Sequence, residues 1–285
     1  MLRRCRSAGL RIMREVASFP LQMLGTTQRG RALETLTSSM ISKVNAHEGT
    51  LSFMTPTPLL QARANSALSK EPDTIAWIDG FESGDIFWDV GANVGVFSLY
   101  AARRRAVHVL AFEPSADNYM ILCRNVEINA LGERISPYCI ALAGHTELGV
   151  LNLTSRDMGA ALNQFGRRGE ISRYSPGSNG LYVQGMIGYT IDDFLRHFEA
   201  PFPTHLKLDV DGLEWQILQG ASETLGDPRL QSIMVELTIS DRVERERAIT
   251  CLSDMGFKLV RQGEIQESGS ESAANHFFAR NRAAG

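Results

Sequence analysis

Two stretches of this sequence place side chains that can do chemistry at the ends of apolar runs. The first is Asp89-Val90-Gly91-Ala92-Asn93-Val94-Gly95, which follows Ile86-Phe87-Trp88 and runs into Val96-Phe97-Ser98-Leu99-Tyr100-Ala101. A β-prone run that ends in an acid, passes through glycines and resumes at helical spacing describes a strand, a tight loop and a helix start. Small cofactors bind at such junctions. Glycines take positive φ and let the backbone approach a ligand, Asn93 is among the few side chains that tolerate that region, and the helix N-terminus exposes free N–H groups. Asp89, at the strand's end, can accept hydrogen bonds from a cationic or hydroxylated ligand.

A dinucleotide-binding loop reads G-x-G-x-x-G, its second glycine letting pyrophosphate sit on the helix N-terminus. Asn93 stands in place of that second glycine and Val96 in place of the third, so an NAD-dependent oxidoreductase is the disfavoured alternative. An acid before the glycines also repels a diphosphate and favours an ammonium or sulfonium group. Further on, Val107-His108-Val109-Leu110-Ala111-Phe112 reads as a second strand ending in Glu113, whose carboxylate can accept both hydroxyls of a ribose. A nucleoside with a cationic amino-acid tail suits both acids, and S-adenosylmethionine is such a molecule.

The second stretch is His205-Leu206-Lys207-Leu208-Asp209-Val210-Asp211-Gly212-Leu213-Glu214. Side chains alternate along a strand, so Lys207 and Asp209 project to one side. Asp209 ends the strand where open α/β sheets bind ligands. Capping accounts for the next two acids as well as chemistry does: Asp211 can cap the following helix and Glu214, three residues on, can return the bond. Asp209 fits no cap, and three roles are open to it: general base toward a hydroxyl, metal ligand, or hydrogen-bond partner of a substrate. Glu236, in Ile233-Met234-Val235-Glu236-Leu237, belongs to the neighbouring strand and can complete an acidic pair. Asp209, Asp211 and Glu236 are also the oxygen ligands available to a divalent metal, if one is used. Lys207 either offsets this acidic pocket or forms a structural ion pair on the opposite side. His276, in Asn275-His276-Phe277-Phe278, reads as a satisfied structural histidine.

Positioning these residues takes an alternating sheet. Strands are expected at 86–90, 107–113, 135–141, 205–210, 232–237, 257–261 and 275–280, and helices at 96–104, 115–129, 190–198, 212–225 and 241–255. That alternation specifies a parallel sheet with helices on both faces. Pro114-Ser115 opens one helix, and Thr190-Ile191-Asp192-Asp193 has the form of a capping box. The polar stretch Gln262 to Ala274 has no helical pattern, so the strands on either side of it pair as an antiparallel hairpin; a parallel crossover needs a longer connection. Residues 71–285 therefore read as one α/β domain, preceded by a mostly helical extension, 1–70. The extension has a helical pattern near Ala32 to Val44 and then the turn-rich Thr55-Pro56-Thr57-Pro58. Within the domain, 155–188 breaks the rhythm with Arg156, Arg167, Arg168, Arg173, several glycines and Pro176. It is long enough for a lid or substrate loop, and equally for an irregular surface insertion. Its arginines suit an anionic or polyhydroxylated substrate.

With 285 residues, 44% hydrophobic and 21% charged, the chain can bury one substantial core. A net charge of -3 gives no overall case for nucleic acid as a partner. Cys5, Cys123, Cys139 and Cys251 are scattered without zinc spacing, as expected of thiols in a reducing, cytoplasmic setting. No apolar run approaches the roughly 20 residues that span a bilayer. The N-terminus is basic, with Arg3, Arg4, Arg6, Arg11 and Arg14 around Leu2, Leu10, Ile12, Met13 and Val16, and lacks the continuous apolar run of a secretory signal. It reads as a packed or frayed extension, with weak membrane-surface contact or targeting as alternatives.

Taken together these motifs resemble the FkbM family of S-adenosylmethionine-dependent methyltransferases. The matching residues are Phe87 to Gly95, Ala111-Phe112-Glu113-Pro114-Ser115 with Asn118, Asn125 and Asn129, Thr190 to Phe194, and Leu206 to Glu214 with Leu218 and Gly220-Ala221. They span roughly residues 80–280 in the family's order. The resemblance implies a Rossmann-like class I fold, a mainly parallel seven-stranded sheet closed by a C-terminal antiparallel hairpin. It also implies S-adenosylmethionine as donor and a hydroxyl acceptor on a sugar, glycan, polyketide or similar metabolite. Asp89, Gly91, Asn93 and Gly95 would then line the methionine end and Glu113 the ribose, while Ala141 and Leu142 match a segment near adenine. The family commonly carries an acidic or polar residue just after that pair, whereas this chain reads Ala143-Gly144-His145, which leaves a backbone amide or His145 for the adenine contact. Asp209 would take or position the acceptor's proton, with Asp211 and Glu236 in support. A non-catalytic binding or scaffold protein would share the fold; the acids at both strand ends favour an enzyme.

Overall fold

The computed structural model describes residues 23–47, 49–104, 106–167, 182–268 and 271–280. Helix α1 (Thr26–Ser39) is followed by an antiparallel hairpin, β1 (Ile41–Ala46) and β2 (Gly49–Met54), and by helices α2 (Pro58–Ser66) and α3 (Pro72–Ile78). The helical pattern expected to reach Val44 therefore stops at Ser39. Ile41 and Val44 are β-branched, and they pair with Met54 and Leu51 across the hairpin. Among its described residues, the expected 1–70 extension packs onto the α/β domain. Leu51 and Phe53 of β2 and Ala64 and Ala67 share one core with Ile78, Phe87, Leu99 and Val109.

From residue 86 the alternation builds one sheet. Its units are β3 (Ile86–Val90), α4 (Val96–Arg103), β4 (His108–Phe112), α5 (Ala116–Ile128) and β5 (Ile135–Tyr138). The chain then leaves this sheet for a second one made of β6 (Ala141–Leu142), β7 (Glu147–Leu153), β8 (Gln164–Gly166) and β9 (Tyr182–Tyr189), and re-enters through α6 (Ile191–Phe198). The remaining elements are β10 (His205–Leu208), α7 (Glu214–Gln219), α8 (Ser222–Gly226), β11 (Ser232–Thr238), α9 (Arg242–Asp254), β12 (Phe257–Gln262), β13 (Gln266–Ser268) and β14 (Glu271–Arg280). The main sheet runs β12-β14-β11-β10-β3-β4-β5. Pairings from β11 to β5 are parallel, and β14 is inserted antiparallel between β11 and β12. With β13 paired antiparallel to β14 off this path, the sheet has eight strands, one more than expected, in a Rossmann-like order closed by C-terminal antiparallel strands. Successive residues face opposite layers: Phe87 and Val109 pack toward α4 and α5, Trp88 and Leu110 toward α6, α7 and α9.

Three expected elements come out differently. The single strand expected at 135–141 is two: β5 pairs β4 through Tyr138, and after Cys139 and Ile140 the chain enters β6, which pairs β9 in the second sheet. The 155–188 segment contributes β8 and most of β9 to an ordered four-stranded sheet, β6-β9-β7-β8. Its residues 168–181, with Arg168, Arg173 and Pro176, lie outside the described residues, as do the basic residues before Met23. The helix expected at 212–225 is two short ones. Thr190 caps α6 through the Asp193 N–H, as the capping-box form anticipates, while Asp192 accepts from the Glu223 and Thr224 N–H groups and starts α8 anew.

One face of α5 ties the parts together. Asn129 accepts from the Ser52 N–H at 2.9 Å and donates to its carbonyl at 2.7 Å, as a neighbouring strand would. Asn125 accepts from the Met54 N–H and donates to the Val94 carbonyl in the glycine loop. Asn118 accepts from the Gly159 N–H and donates to the Ala160 carbonyl. At the opposite, N-terminal end of the strands, Asp85, His205 and Ser232 line up through bonds of 2.9 and 2.7 Å. Trp77 donates its indole hydrogen to Ser232 Oγ, and Phe81 stacks on the His205 ring at 3.9 Å. That Ser-His-Asp row is thus covered and bolts α3 to the sheet.

Candidate functional site

A cleft of about 410 Å³ opens over the C-terminal ends of the strands, between Gly91–Val94, Glu113–Pro114, Asp209–Asp211 and Glu236. Its floor belongs to β3, β4, β10 and β11. Its roof comes from distant parts of the chain: Arg63, Ser66, Lys70 and Glu71 near α2, Ala160 to Asn163, and Gln266, Ser272 and Ala273 of the β13–β14 hairpin.

The loop after β3 takes positive φ at Gly91, Asn93 and Gly95. A Cβ at Gly91 would lie 1.8 Å from the Asp209 carbonyl oxygen, so only glycine lets the ends of β3 and β10 close on each other. The N–H groups of Gly91 and Ala92 donate back to the Phe112 carbonyl, and that of Asn93 to Glu113 Oε2 at 2.8 Å. These amides are spent inside the protein and do not form a phosphate cradle.

Asp89, expected to line the methionine end, lies instead beneath the loop. It is fully buried, accepts from Ser98 Oγ at 2.6 Å and stands 3.7 Å from Lys207 Nζ. Burial pushes its carboxyl above the ordinary range. Gly95 caps α4 against Leu122 and does not line the cleft. Asn93 does line it. Its Nδ2 donates to the Ala160 carbonyl, and its Oδ1 is buried without a partner.

Glu113 accepts from the Asn93 and Ser115 N–H groups, both at 2.8 Å. Burial nevertheless pushes its carboxyl up to about 7. Ala141 and Leu142 line a small apolar recess with Pro114, Ile140, Val210 and Leu213, which shares Gly91, Pro114, Asn163 and Val210 with the main cleft. His145 is exposed and lines neither space, so the adenine contact foreseen for it is not made by its placement here.

At the end of β10, Lys207 and Asp209 do project together, and Nζ meets Asp209 Oδ2 at 2.7 Å. Lys207 is 1% exposed while Asp209 keeps 23%, so the ammonium sits under the carboxylate and the carboxylate reaches the cleft. Burial works against ionising Asp209, but the charge and hydrogen bond of Lys207 outweigh it and hold the carboxyl below the usual range. Glu236 hydrogen-bonds Asp209, and the Asp209 charge followed by burial raises it well above an ordinary glutamate. Of the pair, Asp209 therefore carries the charge more readily and Glu236 the proton.

Asp211, with φ of 58°, does not cap α7. It accepts from the Leu162 N–H at 2.6 Å, and its carbonyl accepts from Gln164 Nε2. Burial and then the Asp209 charge raise it to about 6. Glu214 fulfils the capping alternative in its own way, accepting from the Val210 and Gly212 N–H groups. Asp209, Asp211 and Glu236 are occupied by Lys207, Leu162 and each other. Among the described residues no group of three or more His, Cys, Asp or Glu is arranged to hold a metal ion. His276 is buried, with Nδ1 at 2.9 Å from the Ala274 carbonyl, and lines no part of the cleft. No described helix is long and apolar enough to cross a membrane.

The roof residues Arg63, Lys70 and Glu71 are not among those the sequence marks. Their only signal is charge at helical spacing in a segment that reads as separate from the domain.

The strand order, the glycine loop that rejects phosphate and the acids on both sides of one cleft define a class I methyltransferase. The Methyltransferase FkbM domain model matches residues 89–259, and the chain belongs to that family of enzymes. It is 26% identical over 189 residues to the hexuronic acid methyltransferase AglP of Haloferax volcanii, covering 66% of this chain and 70% of that one. It is 28% identical over 224 residues to the 31-O-demethyl-FK506 methyltransferase FkbM of Streptomyces tacrolimicus, covering 71% and 82%. Among solved structures it is similar to magnesium protoporphyrin IX methyltransferase from Synechocystis PCC 6803, at 13% identity and a TM-score of 0.46, covering 79% and 85%.

Proposed function

We propose that this enzyme moves a methyl group from S-adenosylmethionine to a hydroxyl of a sugar, glycan or secondary metabolite. The observation that carries this reading is one cleft lined by the orphan acceptor of Asn93, the carboxyl of Glu113 and the Asp209–Glu236 pair. An unpartnered Oδ1 suits an ammonium, and a carboxylate at the end of β4 suits a ribose diol. The names of the relatives, which specify a hexuronic acid and the 31-O position, support a small oxygen acceptor.

When bound, S-adenosylmethionine supplies an activated methyl group on a sulfonium. The protein then has to align the acceptor and to dispose of its proton. Asp209 is ionised and faces the cleft, so it accepts the hydroxyl hydrogen and aims the oxygen's lone pair. A carboxyl held below its usual range is a weak base, but it suffices because the acceptor oxygen becomes strongly acidic as its new bond forms. Glu236, whose carboxyl that charge raises, donates to Asp209 when it holds the proton of the pair.

Titration of the protein with S-adenosylhomocysteine and with NADH tests the donor half. Only the former is expected to bind. Glu113 must be ionised to accept the ribose hydroxyls, and in the free protein its carboxyl titrates at about 7. Affinity for S-adenosylhomocysteine should therefore rise as pH climbs through about 7 and level off above it. Glu113→Gln should lower affinity about 10-fold or more, the scale of a hydrogen bond to a charged group, and flatten that pH dependence. An affinity independent of both pH and Glu113 rules out the ribose assignment.

A further inference from the structure

Arg63 is the largest cleft residue that neither the strand-end chemistry nor the matched family segment accounts for, since it precedes residue 89. It projects from α2, on the roof, and its placement is fixed: Nε donates to the Gly159 carbonyl at 2.5 Å. That loop is held in turn by Asn118, through the Gly159 N–H and the Ala160 carbonyl, and by Asn93, through the same Ala160 carbonyl. The guanidinium thus shares a two-residue anchor, Gly159 and Ala160, with the side chain of Asn93. It feels the charges of Asp209, Asp211 and Glu113, but among the described residues it makes no ion pair, and its Nη donors make no hydrogen bond.

A cation with free donors beside a buried, unpartnered acceptor is the complement of an α-amino acid, whose ammonium and carboxylate leave the same carbon. Neither group alone would select it. We infer that Arg63 and Asn93 together hold the amino-acid tail of the methyl donor, Arg63 taking the carboxylate and Asn93 Oδ1 the ammonium. The assignment deepens the donor reading above and rests on it. It also gives the N-terminal segment a role, since α2 closes the tail end of the donor site and Arg63 crosses from the roof to do so. A planar guanidinium offering parallel N–H donors suits a carboxylate better than an ammonium would.

The test compares two ligands on the whole chain by calorimetric titration, S-adenosylhomocysteine and 5′-methylthioadenosine, which keeps the nucleoside and lacks the amino-acid tail. Arg63→Met should weaken S-adenosylhomocysteine about 10- to 100-fold, the scale of a charged hydrogen-bonded contact, and leave 5′-methylthioadenosine unchanged. Arg63→Gln, which keeps a neutral donor near the site, should show the same split with a smaller loss. Equal weakening of both ligands would overturn the inference, since it would mean that Arg63 only braces the roof. Unchanged affinity for both would overturn it too, as would a rise only in the KM for the acceptor, which would hand the guanidinium to the acceptor instead. If the unsubstituted protein binds 5′-methylthioadenosine but not S-adenosylhomocysteine, the tail site is refuted while a nucleoside site stands. If it binds neither, the donor reading falls and this inference with it.

Discussion

Lys207→Met is expected to cost about 3–5 kcal/mol of folding stability, as removal of one partner from a buried ion pair does. Against a total of roughly 5–15 kcal/mol for a typical domain, this is the most damaging single change foreseen outside the aromatic core. The ammonium lies 2.7 Å from Asp209 and 3.7 Å from Asp89, with the Phe97 ring 5.2 Å away. Methionine fills the space and removes the charge, leaving two carboxylates beside each other, with Ser98 still donating to Asp89. Those carboxyls then titrate higher in the folded than in the unfolded chain. The folded state binds more protons, so the variant's stability should rise as pH falls from about 8 toward 5. The parent pair behaves otherwise. The contribution of Asp209 is present above the unfolded carboxyl range and is lost only as pH falls through its depressed value, while Lys207, raised by its two acids, loses its charge only in strong alkali. Urea unfolding at several pH values checks this, and a variant deficit that does not shrink in acid would contradict it.

Asp209→Asn is expected to lower kcat by about 10²- to 10⁴-fold, the range of general-base contributions, with S-adenosylhomocysteine affinity within a factor of about two of the parent. Asparagine keeps the shape and still accepts from Lys207, so the loss reads the missing charge at the acceptor and not a collapsed strand. Loss of the Asp209 charge also removes the main cause of the raised Glu236 carboxyl, and Glu236 then becomes the nearest candidate to replace it. Asp209→Asn combined with Glu236→Gln should therefore lose more than Asp209→Asn alone. Near-normal turnover in Asp209→Asn would remove Asp209 from the acceptor chemistry.

How far the sequence discloses this site depends on whether a residue's role is local. Strand periodicity alone puts Lys207 and Asp209 on one side, and the structure has them in contact. The glycine loop, the end of β4 at Glu113 and the antiparallel closing hairpin likewise follow from pattern and turn chemistry. Asp89 lies beneath the loop, because side chains alternate along β3 and a sequence does not say on which side the cavity lies. The second sheet escapes notice because its strands are broken by Gly149, Gly185 and Gly188, which weaken the alternation that marks a strand. Arg63 and the roof are beyond reach of local pattern altogether. Their position depends on Asn125 and Asn129 reaching β2, contacts between residues more than seventy positions apart.

The place of β14 bears on how this chain is made as well as how it works. The strand is the last described element in order, yet it sits inside the sheet, between β11 and β12, and the residues at its start help roof the cleft. Until it emerges from the ribosome, β11 keeps an open edge and β12 has no partner. The floor of the cleft at β3 and β4 is encoded early, but one wall, at Ser272 and Ala273, waits for the final strand. Synthesis thus leaves both an inner edge of the sheet and one side of the cleft open until the last strand is made.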